Sequence, residues 1–240
     1  MSDAPAAVLW DMDGTLLDSE KLWDVAIAEL ADRLGTTMTA ELRESTLGNS
    51  MTGALTKLFA AAGEPVTEGG LGSAAQWLRG RVVELFADGV PWQPGARAAL
   101  EMVARHGIPM ALVTNTERML TEHAVRTIGA ERFAVSFCAD EVANGKPEPD
   151  LYLAAADALG VRPEDCVAVE DSPAGTAAAI AAGCPTLVVP SEAPVPAGPG
   201  RVFRAALTGL TLDDLVAVRT DATVARGVTA GQSVGQCVRD

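Results

Sequence analysis

Two aspartates separated by one residue follow the first apolar run of the chain, in the stretch "AVLWDMDGT". Asp11 and Asp13 come directly after four residues that favour a buried strand. A strand that ends on two negative charges presents them at the edge of a sheet. An aspartate there can attack a phosphoryl group as a nucleophile, or it can give a proton to a leaving group and take one from water.

Three further polar stretches follow apolar, strand-like runs later in the chain. Thr114 and Asn115 follow "ALV", Lys146 lies in "GKPEPD", and Glu170 and Asp171 end "VAVED". Each stretch alone is better explained by a turn or a helix cap than by a catalytic role. Because the carboxyl ends of parallel strands meet at one edge of a sheet, all four stretches in this order favour a common site.

The residue types at this predicted site suit phosphate chemistry. Carboxylates packed together repel one another and raise each other's pKa values unless a cation lies between them. Oxygen ligands without histidine or thiolate favour Mg²⁺, which keeps waters and substrate phosphate in its shell. Lysine, which occurs only three times against fifteen arginines, supplies a positive charge for phosphate. The residues therefore predict Mg²⁺-dependent phosphoryl transfer.

The pattern of elements around these stretches predicts an open α/β fold. From about residue 89, helical periods alternate with short, continuously apolar strands, which is typical of a parallel sheet buried on both faces. Residues 18–88 show only helical periods, so we predict an all-α cap domain inserted after the first strand. The predicted division is a core of residues 1–17 and 89–218, a cap of 18–88, and a loose tail of 219–240.

Composition excludes several classes of partner. The chain has 240 residues and a net charge of −14, which argues against binding a nucleic acid backbone or an anionic membrane. No run approaches the roughly 18 apolar residues of a membrane span, and no secretory signal is visible. The widely spaced cysteines predict reduced thiols in a cytoplasmic protein, and we expect a monomer. They are Cys138, Cys166, Cys184 and Cys237.

Four motifs together resemble the haloacid dehalogenase superfamily, in its phosphatase and phosphomutase branch. They are "DMDGTLLDSE", "LVTNT", "GKPEPDLYLAAADALG" and "VAVEDSPAGTAAAIAAG", and the resemblance covers about residues 6–218. It implies a Rossmann-like core with a mobile helical cap after the first strand. It also implies Mg²⁺-dependent phosphoryl transfer through an aspartyl-phosphate intermediate.

The resemblance assigns a role to each residue of the catalytic motifs. It makes Asp11 the nucleophile and Asp13 the general acid and base. Thr114 would hydrogen-bond the phosphoryl group, Asn115 would touch phosphate through its backbone, and Lys146 would steady the phosphoryl group.

The same resemblance supplies a set of metal ligands. These are the side chains of Asp11, Glu170 and Asp171 with the backbone carbonyl of Asp13. True dehalogenases carry a non-acidic residue where Asp13 stands, so the chain does not resemble one of them.

Two departures from the mutase branch bear on the substrate. β-Phosphoglucomutases carry a histidine where this chain has Trp23, and an arginine for a second phosphate where it has Met51. With Asn49, these residues are our candidates for substrate specificity. The stretch "DSEKLW" resembles phosphatases of small sugar or polyol phosphates, and such a phosphatase is our prediction. The alternatives are a β-phosphoglucomutase-like phosphomutase and a non-catalytic binding or regulatory protein on the same fold.

Overall fold

The computed structural model describes residues 4–46, 49–191 and 193–231, and within them the chain forms six strands and nine α-helices. The strands are β1 (Val8–Trp10), β2 (Met110–Val113), β3 (Val135–Phe137), β4 (Val167–Glu170), β5 (Thr186–Val188) and β6 (Arg201–Phe203). The helices are α1 (Glu20–Arg33), α2 (Ala40–Thr46), α3 (Met51–Ala62), α4 (Glu68–Phe86), α5 (Ala96–Arg105), α6 (Arg118–Ile128), α7 (Asp150–Ala158), α8 (Pro173–Ala182) and α9 (Leu212–Gly231). Three single 3-10 turns lie at Ala130–Arg132, Ala139–Glu141 and Pro163–Asp165.

All six strands are parallel and form one sheet in the order β3-β2-β1-β4-β5-β6. Strand β1 is central, with Val8 opposite Met110 on one side and Val167 on the other. Its side chains pack alternately into two apolar clusters, Val8 and Trp10 in one and Leu9 in the other. Because both faces of the sheet are covered, the strand is apolar throughout, which confirms the predicted parallel α/β fold.

The sixth strand was not predicted from the sequence. The segment of β6 is only three residues long and contains an arginine, and its side chains are partly exposed at the edge of the sheet. An edge strand is covered on fewer sides than a central one, so its composition gives a weaker signal.

Helices α1–α4 lie between β1 and β2, as an insertion into the sheet fold. The two chain segments that lead into and out of it run side by side. The amide of Asp18 donates to the carbonyl of Pro91 at 2.8 Å, and that of Gln93 donates to the carbonyl of Leu16 at 2.9 Å. Between these segments the regular elements among the described residues are all helices, as the periodicity predicted.

The insertion packs directly against the core. Leu78 and Val82 of α4 belong to the same buried apolar cluster as Leu100 of α5, Leu120 of α6 and Trp10 of β1. The insertion therefore covers one end of the sheet, above the strand ends that carry the polar stretches.

The predicted loose tail requires a correction. The segment after Arg219 continues as helix α9 to Gly231, because its first turns are anchored to the core. Val218 is buried, and Nη1 of Arg219 donates to the carbonyl of Ala4 at 2.8 Å. Residues 232–240, with Cys237, lie outside the described residues. Among the described helices, none is long and apolar enough to cross a bilayer.

Candidate active site

The predicted site residues meet at one edge of the sheet. Asp11 follows β1, Thr114 follows β2, and Asp171 follows β4, and these three strands are neighbours. Lys146 comes from the loop before α7 and reaches the same place. The parallel topology thus brings the four stretches together, as the sequence predicted.

The ammonium group of Lys146 lies at the centre of this cluster. Its Nζ donates to Oδ1 of Asp11 at 2.5 Å, to Oε1 of Glu170 at 2.6 Å and to the carbonyl of Val113 at 2.9 Å. These three bonds use all three protons of the ammonium. Burial alone would lower the pKa of Lys146, but the two carboxylates outweigh it and raise the pKa, so the lysine is charged.

Both oxygens of Glu170 already have hydrogen-bond donors. Oε1 accepts from Lys146 and from the hydroxyl of Tyr152 at 2.6 Å, while Oε2 accepts from the amide of Asp171 and from Oγ of Ser172, both at 3.3 Å. Burial, followed by the nearby carboxylates, raises the pKa of Tyr152, so its phenol keeps the proton that it donates. The fully buried Glu170 is therefore a fixed counter-charge to the lysine.

Three carboxyl groups form an acidic trio, Asp11, Glu170 and Asp171, with oxygens within 4.8 Å of one another. Oδ2 of Asp11 is buried and has no hydrogen-bond partner. Burial raises the pKa of Asp11 to about 8 and, with the neighbouring carboxylates, raises the pKa of Asp171 well above its usual value. A divalent cation would lower both, because an opposite charge favours the ionised form. The all-oxygen trio and the orphaned Oδ2 therefore fit such a cation.

Two neighbours limit where Asp171 can lie. Oγ of Ser191 donates to its Oδ2 at 2.5 Å. Gly14 lies close to the same oxygen, since a Cβ at this position would be only 2.1 Å from it. Ser191 lies in a loop that carried no signal in the sequence.

Asp13 accepts hydrogen bonds from three hydroxyl groups. Ser19 donates to Oδ1 at 2.6 Å, and Thr116 and Thr114 donate to Oδ2 at 2.7 and 3.2 Å. Thr114 was predicted to lie here. Ser19 and Thr116 were not predicted to lie here. Both belong to the quoted stretches "DMDGTLLDSE" and "LVTNT", so a hydroxyl within a catalytic stretch was the signal that could have indicated them.

The side chain of Asn115 binds the loop that carries Lys146. Its Nδ2 donates to the carbonyl of Lys146 at 3.0 Å, and its Oδ1 accepts from the amide of Lys146 at 2.7 Å. Both ends of the carboxamide are thus used to fix that loop. A contact of the Asn115 backbone with phosphate stays a prediction.

Above this cluster lies a cavity of about 960 Å³, counting its open mouth, between the insertion and the core. All three candidates for specificity, Trp23, Asn49 and Met51, line it together with Asp11 and Lys146. The indole of Trp23 packs edge-on against Phe86, with ring centroids 6.4 Å apart. Oδ1 of Asn49 accepts from Nζ of Lys57 at 3.1 Å.

The fold and the site define a class of α/β enzymes. In this class, aspartates and a lysine meet at one edge of a parallel sheet, and a helical insertion covers them. Comparison with known proteins then identifies the family. The chain belongs to the haloacid dehalogenase-like hydrolases, whose family model matches residues 5–183. This confirms the resemblance inferred from the motifs.

Three proteins illustrate the similarity. Hexitol phosphatase A of Escherichia coli (strain K12) is 34% identical over 189 residues, which cover 78% of this chain and 84% of that protein. A phosphorylated carbohydrates phosphatase of Thermotoga maritima is 33% identical over 178 residues, covering 74% and 81%. The crystal structure of CbbY from Rhodobacter sphaeroides in complex with phosphate has a TM-score of 0.77 at 29% identity, covering 86% and 96%. The prediction of an enzyme, a phosphoric monoester hydrolase, is confirmed.

Proposed function

We propose that this chain hydrolyses a small sugar or polyol phosphate, with Mg²⁺ as its cation and Asp11 as the carrier of the phosphoryl group. The observation that carries the proposal is the buried, unpartnered Oδ2 of Asp11, which lies beside Lys146 at the base of the cavity. The substrate class is supported by relatives named for hexitol phosphates and phosphorylated carbohydrates.

Asp11, Asp171 and Glu170, with the backbone carbonyl of Asp13, would hold the Mg²⁺ ion. When bound, the ion neutralises negative charge on the transferring phosphoryl group. Because both oxygens of Glu170 already accept hydrogen bonds, we assign this residue mainly to holding Lys146.

In the first step, a carboxylate oxygen of Asp11 forms a bond to phosphorus while the bond from phosphorus to the ester oxygen breaks. Asp13 donates a proton to that leaving oxygen, which departs as the alcohol. Lys146 orients the nucleophile through its bond to Oδ1 of Asp11. Thr114 and the backbone of Asn115 hold the phosphoryl oxygens.

In the second step, a water oxygen attacks phosphorus of the aspartyl-phosphate, and the bond from phosphorus to Asp11 breaks. Asp13 takes a proton from the water, so both groups return to their starting state and inorganic phosphate leaves. The hydroxyls of Ser19 and Thr116 orient Asp13 for both transfers, while the hydroxyl proton of Thr114 turns from Asp13 to the phosphoryl oxygen when substrate is bound.

A phosphomutase is the second candidate because the fold is shared with mutases. A mutase must hold a bisphosphate, which requires cationic groups at the far end of the cavity. Met51 lines that cavity where the mutase branch has an arginine, and Lys146 is the only cation among the lining residues that the structure describes. This favours the hydrolase.

We further propose that residues 18–88 act as a cap that closes over the substrate during the first transfer and admits water for the second. The enzyme is expected to be a cytoplasmic monomer without nucleic acid or membrane partners, on the sequence grounds given above.

The test measures phosphate release from 4-nitrophenyl phosphate and from glucitol 6-phosphate. We expect activity with Mg²⁺, none in excess chelator, and recovery when Mg²⁺ is restored. Asp11→Asn, which keeps the shape but removes the attacking charge, should abolish turnover, while Asp32→Asn on the exposed face of α1 should not change it. Residual activity of about a tenth in Asp11→Asn, against the roughly 10²-fold or larger loss expected for an essential group, would exclude Asp11 as nucleophile.

A separate incubation distinguishes hydrolase from mutase. The protein is mixed with glucose 1-phosphate, a trace of the 1,6-bisphosphate and Mg²⁺, and both inorganic phosphate and the 6-phosphate isomer are measured. Stoichiometric phosphate supports the hydrolase. Isomer formed without phosphate would show a mutase, and turnover of any ester removes the non-catalytic alternative.

A further inference from the structure

Two of the carboxylates that line the cavity lie outside the acidic trio and are each held by an arginine. Asp24 on α1 accepts at Oδ2 from both Nε, at 2.8 Å, and Nη2 of Arg43. Glu117, just before α6, accepts at Oε2 from Nε of Arg79 at 2.5 Å and at Oε1 from Nη2 at 2.7 Å. We call Asp24 and Glu117 the outer carboxylates.

The two arginines are not among the residues that line the cavity, whereas the outer carboxylates are. Each arginine therefore fixes its partner from outside, and the carboxylate faces the space where a substrate would lie. Both bonds from Arg43 end on Oδ2 of Asp24, so they leave the lone pairs of Oδ1 available to accept from another donor. Because each guanidinium donates two hydrogen bonds to its carboxylate, each carboxylate is held in one orientation.

The opposite end of the cavity has different chemistry. There the buried Oδ2 of Asp11 has no partner, and Lys146 supplies the only positive charge among the described lining residues. All three protons of that lysine are directed to Asp11, Glu170 and the carbonyl of Val113. The phosphoryl end of a substrate therefore meets Asp11 and the charged Lys146, whereas its alcohol end meets the outer carboxylates.

In each pair the carboxylate lines the cavity and the arginine does not, so the negative end of the pair accepts hydrogen bonds from hydroxyl groups and disfavours a second anion. Like charges placed against each other in a binding site are a strong source of rejection, and specificity depends on such repulsion as much as on attraction. The remaining outer surface includes the apolar side chains of Trp23, Ile27 and Met51, which suit the carbon chain of a sugar or polyol.

We propose that the outer carboxylates Asp24 and Glu117 select the alcohol part of the substrate, accepting a neutral polyhydroxylated chain and rejecting one with a carboxylate or a second phosphate. This inference rests on the proposed phosphatase function and names the substrate class more narrowly. It gives Glu117 a role beyond joining the insertion to α6 through Arg79.

The test uses two esters of the same length that differ at the far end, glucitol 6-phosphate with a hydroxymethyl group and gluconate 6-phosphate with a carboxylate. For the wild type we expect kcat/KM to favour the neutral ester by at least about tenfold. Glu117→Gln and Asp24→Asn should each lower that ratio by about fivefold or more, chiefly by improving kcat/KM for gluconate 6-phosphate.

Glu29→Gln is the matched control. It breaks the bidentate pair of Glu29 with Arg81 on the outer side of the insertion, away from the cavity, and should leave the ratio unchanged. If Glu117 only clamps the insertion to the core, Glu117→Gln will lower both rates equally and keep the ratio, which overturns the proposal. A wild type that hydrolyses both esters equally well overturns it too.

Binding separates this inference from the proposed function. Dissociation constants of the two esters are measured on Asp11→Asn protein, alone and combined with Glu117→Gln. Tighter binding of the neutral ester, with the difference reduced in the double variant, supports selection even if no ester is turned over. Equal binding of both esters contradicts it, whereas an inactive wild type that still discriminates contradicts only the phosphatase.

Discussion

Gly14 shows how a single residue decides the geometry of the acidic trio. Its φ of +81° is a left-handed conformation that side chains disfavour, and a Cβ there would lie 2.1 Å from Oδ2 of Asp171. The turn after β1 can therefore approach the end of β4 only because this position has no side chain. The glycine in "DMDGT" is thus required for the close approach of these two strand ends.

Gly14→Ala should weaken the affinity for Mg²⁺ by displacing Asp171. Gly35→Ala is the control, because Gly35 also has a positive φ, of +76°, but a Cβ there meets nothing within 4 Å. Both variants should lose stability through backbone strain, by about 1 kcal/mol. Only Gly14→Ala should raise the Mg²⁺ concentration for half-maximal activity, by about tenfold or more if Asp171 is a ligand. Equal Mg²⁺ dependence in both variants would contradict this role.

The N-terminus of helix α8 contributes both to the stability of the fold and to the geometry of the site. Its N-cap residue, Ser172, accepts from the amide of Gly175 at 3.1 Å and donates the same hydroxyl to Glu170 at 3.3 Å. A Cβ at Gly175 would lie 2.0 Å from both oxygens of Glu170, so this position in the first turn of the helix cannot carry a side chain. The sequence "EDSPAG" therefore both starts the helix and accommodates the buried carboxylate.

Ser172→Ala should lower the free energy of unfolding by about 1 kcal/mol, as the loss of an N-cap usually does. Ser50→Ala is the matched control, since Ser50 caps α3 in the same way, accepting from Gly53 at 3.3 Å, but does not line the cavity. Urea unfolding should give similar losses for the two variants. Phosphatase assays should show a lower kcat only for Ser172→Ala. A similar kcat in both would mean that the bond to Glu170 is without consequence.

On the scale of the whole molecule, burial in the folded chain determines how the thiols react. Cys138 and Cys166 are buried, and burial is the first cause that raises their pKa values, to about 11 and about 12. Cys184 is buried as well. The thiolate is the reactive form, so a raised pKa and a closed environment both slow modification.

Iodoacetamide at pH 8 should therefore leave Cys138 and Cys166 almost unmodified in the folded protein. With pKa values of about 11 and about 12, only roughly one thiol in 10³ to 10⁴ is ionised at that pH, and the fraction increases as the pH rises toward the pKa. Mass spectrometry of the labelled peptides, with and without urea, measures the effect. Native labelling of Cys138 as fast as in urea would contradict the buried assignment.

The sequence by itself determined the class of fold and the location of the site. Continuous apolar runs indicated strands covered on both faces, and parallel strands must end together, so the polar residues after them had to meet. Asp11, Thr114 and Asp171 were predictable for this reason. These features depend on local pattern and on a general rule of parallel sheets, and neither requires knowledge of distant contacts.

Only the tertiary structure decided which side chains support that site. Tyr152 reaches Glu170 across 18 positions, Ser191 reaches Asp171 across 20, and Arg79 reaches Glu117 across 38. A hydroxyl or a guanidinium acquires such a role only when two distant segments pack at hydrogen-bond distance. The periodicity of nearby residues gives no information about that packing. The helix that replaces the expected tail from Arg219 has the same cause, because its anchor to Ala4 spans 215 positions.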